Sequence, residues 1–394
     1  MLFFSVLASV AAIAGFAIAQ SPPLSNFSSQ DIASGAAWEK LQKLALERMH
    51  DNIDFRGNKC NFETATVRKE FRNMTLEHRK SFTDAVECLQ RLPPQVMTHE
   101  QSAQYPGVHS RYDEYVATHI NYTMTIHMTA DFLAWHRFYV HSFEQDLKKH
   151  CGYTGHMPYW NWAEDAEAID QSEIFNGDEY SMGSNGVYIP NRDHTYLGLQ
   201  NVNFPPGTGG GCVHTGPFSK TKLHLGPIDS PYNNNVKSDY EDNPRCLVRD
   251  LNSFFSTQYN TYTNVTELLL GEIYVEGFQS LMQGYGSDAN RFGVHGGGHW
   301  LGGGPSDLED MHSSPNDPIF FLHHAMLDKI WLVWQYMDIW DRQFIIRGTS
   351  TMANSPPSPD MSLTDKIPFG FVAPDQTFHD LMDTFAGSFC YRYD

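Results

Sequence analysis

Ser314-Pro315-Asn316-Asp317-Pro318-Ile319-Phe320-Phe321-Leu322-His323-His324 is the stretch on which the fold turns. Asn316 or Asp317 is suited to cap a helix, because a short side-chain oxygen can accept from the first unpaired N–H groups. Pro318 fits the first turn, where a missing N–H costs nothing. An apolar pattern then continues from Ile319 to Trp340, so the sequence predicts a long helix with His323 in its first turn or two. Upstream, His295 and His299 lie four residues apart and share one face wherever the Gly-rich segment Gly293 to Gly304 is helical. Farther upstream, His119-x7-His127-x8-His136 ends near the start of a second long pattern, Asp131 to His150, whose apolar face includes Phe132, Leu133, Trp135, Phe138, Tyr139, Phe143 and Leu147.

Two helix pairs can thus present three imidazoles each toward a common centre, the style of metal site built in bundle cores. Six neutral nitrogen donors without a carboxylate or thiolate suit copper in both its oxidation states. Magnesium and calcium require oxygen donors. A zinc protease would carry H-E-x-x-H, whereas the interior of His295-Gly-Gly-Gly-His299 holds no glutamate to act as base. The remaining histidines, among them His50, His78, His99, His150, His156, His194, His214, His224 and His379, are read as surface or hydrogen-bonded residues.

Working outward, Ala36 to Met49 and Val67 to Leu92 carry helical periodicity, the second stopping at Pro93-Pro94. Residues 163–243 are rich in Gly, Pro, Asn and Asp and read as loops. Helical spacing returns from Cys246 to Phe255 and from Thr266 to Met282, and the tail from Ser355 is loop-rich. The expected fold is mainly α: a central four-helix bundle holding the metal site, with long irregular loops and few short strands.

The 394-residue chain is 41% hydrophobic, enough for a large core, and its net charge of −19 disfavours nucleic acid as a partner. Leu2 to Ala19 is apolar and ends in the small-x-small run Ala17-Ile18-Ala19, so residues 1–19 are expected to be a signal peptide, although no Lys or Arg precedes the apolar run. The expected product is secreted and not held at a membrane after cleavage. Six cysteines without a C-x-x-C pair suggest three disulfides. The expected pairing is Cys60–Cys390, tying the N-terminal region to the tail, Cys88–Cys151, and Cys212–Cys246, closing part of the Gly/Pro-rich region. Asn26, Asn73, Asn121 and Asn264 head glycosylation sequons.

The two signatures, His127-x8-His136-Arg137 with its Phe-Leu-x-Trp run and the stretch ending in His323-His324, resemble the type 3 copper family of tyrosinases, catechol oxidases and haemocyanins. Pro158-Tyr159-Trp160-Asn161-Trp162 and Tyr391-Arg392-Tyr393 also resemble its core, so the likeness runs from about Trp38 to the C-terminus. It implies one tyrosinase-type domain over residues 20–394, similar to short secreted fungal polyphenol oxidases without a C-terminal shielding domain.

The resemblance implies copper A on His119, His127 and His136, with His109 a rival for the first place. It implies copper B on His295, His299 and His323, with His324 in a supporting position. Asp317 is expected to orient Arg137 or nearby backbone, and His312 to lie in a loop near the pocket mouth. The implied activity is oxidation of small phenols by O2, catechols to o-quinones, with weaker monophenol hydroxylation. Full tyrosinase, o-aminophenol oxidase and a haemocyanin-like O2 carrier are the alternatives. Thr125, two before His127, excludes the thioether seen in many members. Gly296 stands where strong monophenolases have Asn, and Glu276, Gln283 and Asp288 are candidates for the acidic partner of that Asn. Trp300, directly after His299, is expected either as an aromatic wall for the substrate or in core packing, and the resemblance places Asp310 or Met311 as a gate; an Asp310 gate would disfavour carboxylated phenols.

Overall fold

The computed structural model describes residues 22–53, 59–197, 201–229, 237–284 and 292–394. The expected leader, residues 1–19, and Asp288 lie outside the described residues. The longer α-helices among the described residues organise the architecture: α1 (Ala36–Ile53), α2 (Leu76–Arg91), α3 (Arg111–Ile126), α4 (Phe132–Cys151), α5 (Ser253–Tyr259), α6 (Tyr262–Gly271), α7 (Val275–Gln283), α8 (Gly293–Trp300) and α9 (Ile319–Met337). Their ends follow local chemistry. Thr75 caps α2, and Ser110 with Asp113 forms a capping box on α3. Gly152, left-handed at φ 68°, terminates α4. At α9 the Asp317 carboxylate accepts from Ile319 N–H at 3.1 Å, and the helix ends where Asp338 leaves helical geometry.

Every residue of α9 is buried, and it packs between α1 and α4, while α2 packs on α3 and α4. Helices α3, α4, α8 and α9 surround the central histidines. A buried network fastens α9 and α4 to the chain's two ends. Arg137 Nε donates to Asp328 at 2.6 Å, Tyr391 and Tyr393 hydroxyls donate to the same carboxylate at 2.6 and 2.7 Å, and Arg68 pairs with Glu144 at 2.7 Å. Such charges are tolerated inside only because each has partners.

Several sequence expectations shift. The stretch from Val67 is not helical at its start: Thr66–Arg68 is a strand lying parallel to Tyr391–Tyr393, and the helix begins at Leu76. Cys246 sits in a strand, Arg245–Cys246 pairing with Lys222–Leu223, so only the end of the expected Cys246–Phe255 helix forms, as α5. The other described strands form three two-stranded antiparallel ribbons. All three expected disulfides, Cys60–Cys390, Cys88–Cys151 and Cys212–Cys246, are present. Asn26, Asn73 and Asn121 are exposed. Asn264 is half-buried and spends its side-chain oxygen on Thr261 in the capping box of α6. No helix among the described residues is long and apolar enough to cross a membrane.

Candidate metal centre

His119 projects from the middle of α3, His127 caps the end of that helix, and His136 lies in the second turn of α4. The reversal between them runs through Met128, at φ 51°, whose N–H is held by the Gln283 side-chain oxygen at 2.7 Å. The three rings stand 5.1 to 5.8 Å apart, centroid to centroid. Opposite them, His295 and His299 share one face of α8, and the first turns of α9 add a third ring. The two groups face each other directly: His127 lies 5.8 Å from His295, and His136 stacks on His324 at 4.4 Å.

That third ring is His324, not the expected His323. The donor atoms of His295, His299 and His324 lie within 4.8 Å of one another. His323 turns the other way, its Nε2 on the His295 carbonyl oxygen at 3.1 Å and its ring against the backbone of Gly298. Adjacent residues on a helix point about 100° apart, so only one of the pair can face the centre.

Backbone carbonyls fix four of the rings. Nδ1 of His119 donates to His312 O at 2.8 Å, His127 to Thr123 O at 2.9 Å, His136 to Phe132 O at 2.8 Å, and His299 to Leu308 O at 2.8 Å. A proton held at Nδ1 leaves the lone pair on Nε2, directed inward. Burial, reinforced by neighbouring imidazoles, pushes His119, His136, His295 and His324 well below the ordinary histidine range. Burial, with smaller contributions from His299 and His312, takes His127 to about 3, and burial takes His299 to about 4. All six rings are therefore neutral near pH 7, as metal ligands must be.

The donor set fits a pair of ions. Nε2 of His119 and of His136 is buried without a hydrogen-bond partner. Nε2 of His299 lies 3.1 Å from Nε2 of His295 and 3.3 Å from that of His324. With its Nδ1 proton on Leu308, His299 offers only a lone pair to these neighbours, so a shared cation suits the cluster better than hydrogen bonds. His312, placed by sequence in a nearby loop, contributes its carbonyl, a role that sequence reading missed because it belongs to the backbone.

Other expected site residues fall elsewhere. Asp310 is fully buried and accepts from the N–H groups of Ile228, Asp229, His312 and Ser313 and from the Ser313 hydroxyl, so it clamps a loop and is not a gate. The expected discrimination against carboxylated phenols loses its basis with it. Trp300 stacks on Phe255 at 5.3 Å and meets Phe204 and Phe292 edge-on, in an aromatic cluster on another face of α8, so it is not a wall of the histidine site. Asp317 pairs bidentately with Arg249, both contacts at 2.7 Å, and not with Arg137. Glu276 is exposed, and Gln283 is committed to Met128. Gly296 is half-exposed between the buried His295 and Gly297, and a Cβ there would meet only Phe292 at 3.5 Å and Gln283 O at 3.8 Å.

Residues 109–337 match the model for the common central domain of tyrosinase. The chain is 36% identical over 351 residues to an N-acetyl-6-hydroxytryptophan oxidase of Emericella nidulans, covering 85% of this chain and 94% of that one. It is 36% identical over 339 residues to tyrosinase P of Aspergillus terreus, covering 84% and 92%. A solved structure of a mutant polyphenol oxidase from Thermothelomyces thermophila superposes with a TM-score of 0.83 at 34% identity, covering 93% of this chain and 98% of that one.

Proposed function

Because the chain belongs to the tyrosinase family of type 3 copper oxidases, we propose that it uses O2 to oxidise o-diphenols to o-quinones and hydroxylates monophenols only slowly. The observation that carries this reading is the pair of facing imidazole triads with inward Nε2 atoms, beside a glycine at position 296. His119, His127 and His136 would hold one copper, and His295, His299 and His324 the other. Copper bound there supplies the one-electron redox steps that couple phenol oxidation to O2 reduction, two catechols giving two quinones and two waters per O2.

The protein's own part is geometric and electrostatic. Carbonyls of His312, Thr123, Phe132 and Leu308 fix the tautomers and ring directions, so little reorganisation is needed during turnover. Phe320, packed 4.2 Å from His324 and 5.3 Å from His119, helps to keep water from the inner side of the site. A monophenol must first lose its proton, and an Asn-held water or hydroxide beside the first histidine of the second triad could take it. Gly296 offers no such group, whereas catechols need less help and gain room.

Similarity to an N-acetyl-6-hydroxytryptophan oxidase favours a second reading, a hydroxylated indole as substrate in place of a simple catechol. Oxygen uptake by the copper-loaded enzyme with a catechol, a monophenol, an o-aminophenol and a 6-hydroxyindole, side by side, tests both. Fastest uptake with the catechol supports the first reading, and fastest uptake with the hydroxyindole supports the second. Monophenol hydroxylation as fast as catechol oxidation defeats the reading of Gly296. Secretion, with removal of residues 1–19 and glycans on exposed Asn26, Asn73 and Asn121, belongs to the same proposal and is supported by the three disulfides. N-terminal and glycopeptide sequencing of exported protein checks it.

A further inference from the structure

His109, which spacing offered as a rival for the first triad, stands well apart from it in a second cluster. Its Nε2 lies 3.2 Å from Asp242 Oδ2, and His224 Nδ1 lies 2.7 Å from Asp242 Oδ1. The two imidazoles face each other at 4.0 Å between centroids. One donor atom from each of the three residues falls within 4.8 Å of the others. We infer that His109, His224 and Asp242 form a separate metal site that takes one Zn2+ ion.

Three features support the assignment. The donors are of the right kind, since two imidazoles and one carboxylate suit zinc and copper, not the oxygen-seeking magnesium or calcium. Ligand atoms about 2.0–2.2 Å from a tetrahedral ion lie about 3.3–3.6 Å apart, a spacing close to the 3.2 Å His109–Asp242 contact and inside the 4.8 Å that bounds every donor pair here. The donors are also largely placed in advance. His109 immediately precedes the Ser110 capping box of α3, and its N–H is held by Asp113 at 3.0 Å. His224 and Asp242 flank the excursion between the paired strands Lys222–Leu223 and Arg245–Cys246, and the Asn243 N–H donates to His224 O at 2.8 Å.

The site is also reachable and charged. His109 and His224 line a cavity of about 770 Å³ that also touches Lys80, Glu87, Arg91 and Asp113. Partial burial pushes the Asp242 carboxyl up, but the hydrogen bond from His224 and the charges of both imidazoles outweigh it and hold the group below its ordinary value. A bound ion would crosslink the excursion to the start of α3, the helix that carries His119.

The test counts metals by mass spectrometry after equilibrium dialysis of the copper-loaded enzyme against micromolar Zn2+. Native protein should hold one zinc while retaining its copper. His224→Ala and, separately, the more exposed His109→Ala should keep copper and catechol oxidation at native levels while weakening zinc uptake. The loss should exceed the roughly tenfold that even an outer supporting residue costs. Unchanged copper content and oxidation rate report a folded variant, so loss of zinc alone supports the site. No zinc in the native protein, or equal zinc in native protein and both folded variants, overturns it.

Discussion

Gly298 is the residue that lets α8 approach α9, and adding one methyl there is a sharp perturbation. A Cβ at position 298 would sit 2.0 Å from Cε1, 2.5 Å from Nδ1 and 2.7 Å from Nε2 of His323. Ordinary contact needs about 3.5 Å, so the helices would have to part by about 1.5 Å or the buried imidazole would have to leave its rotamer. Overpacking of this kind costs about 1–3 kcal/mol. Gly296 is the control, because its Cβ would meet nothing closer than 3.5 Å, and a helical Gly→Ala change there should gain about 0.4–1 kcal/mol. The helical gain is common to both changes, so Gly298→Ala should be less stable than Gly296→Ala by the overpacking alone, roughly 1–3 kcal/mol in urea unfolding. It should also bind copper less well, because α8 carries His295 and His299. His323→Ala removes all three clashing atoms, so the double variant Gly298→Ala/His323→Ala should recover part of the loss relative to the sum of the single changes. Equal stability of the two alanine variants, or strict additivity in the double, would refute this packing account.

Asp317→Ala leaves Arg249 buried without its carboxylate, and chemical denaturation should show a loss of about 3–5 kcal/mol. Asp131 is buried with one carboxylate oxygen unpartnered, and burial raises its pKa from 3.8 to about 6. Its native form therefore holds a proton that the unfolded chain has already released between these values, so stability falls as pH rises from about 4 to about 6. Asp131→Asn should remove that slope and gain up to about 3 kcal/mol over wild type at pH 7, measured by denaturation at several pH values. Gly296→Asn should raise the ratio of monophenol to diphenol activity, read as quinone formation on matched substrates; an unchanged ratio places the proton acceptor elsewhere.

The sequence was most legible where chemistry leaves few choices. Asp317-Pro318 marks the start of α9, the i,i+4 spacing of His295 and His299 puts both on one face of α8, and the x8 interval brings His127 and His136 together across a turn. The choice between His323 and His324 was not legible for a physical reason. Every residue of α9 is buried, so its apolar pattern carries no phase and cannot say which histidine faces inward. Helix α3 is obscured in the opposite way, since Arg111, Asp113, Glu114, Thr118, His119 and Thr123 are polar yet buried. The strand at Thr66–Arg68 pairs with residues more than 300 positions later, which no local periodicity can reveal. Asp310 was assigned by resemblance and Trp300 by its place directly after His299; their backbone clamp and aromatic cluster depend on segments distant in the chain.

The most direct test of the dinuclear centre is copper counted per chain in the native enzyme, in His324→Gln and in His323→Gln, alongside catechol oxidation. Gln at position 323 can still donate to the His295 carbonyl, whereas Gln at position 324 lacks an imidazole donor for the cluster. The account predicts two coppers and activity in the native protein, loss of copper and activity in His324→Gln, and both largely retained in His323→Gln. One copper in the fully active native enzyme, or loss in His323→Gln with retention in His324→Gln, would contradict it.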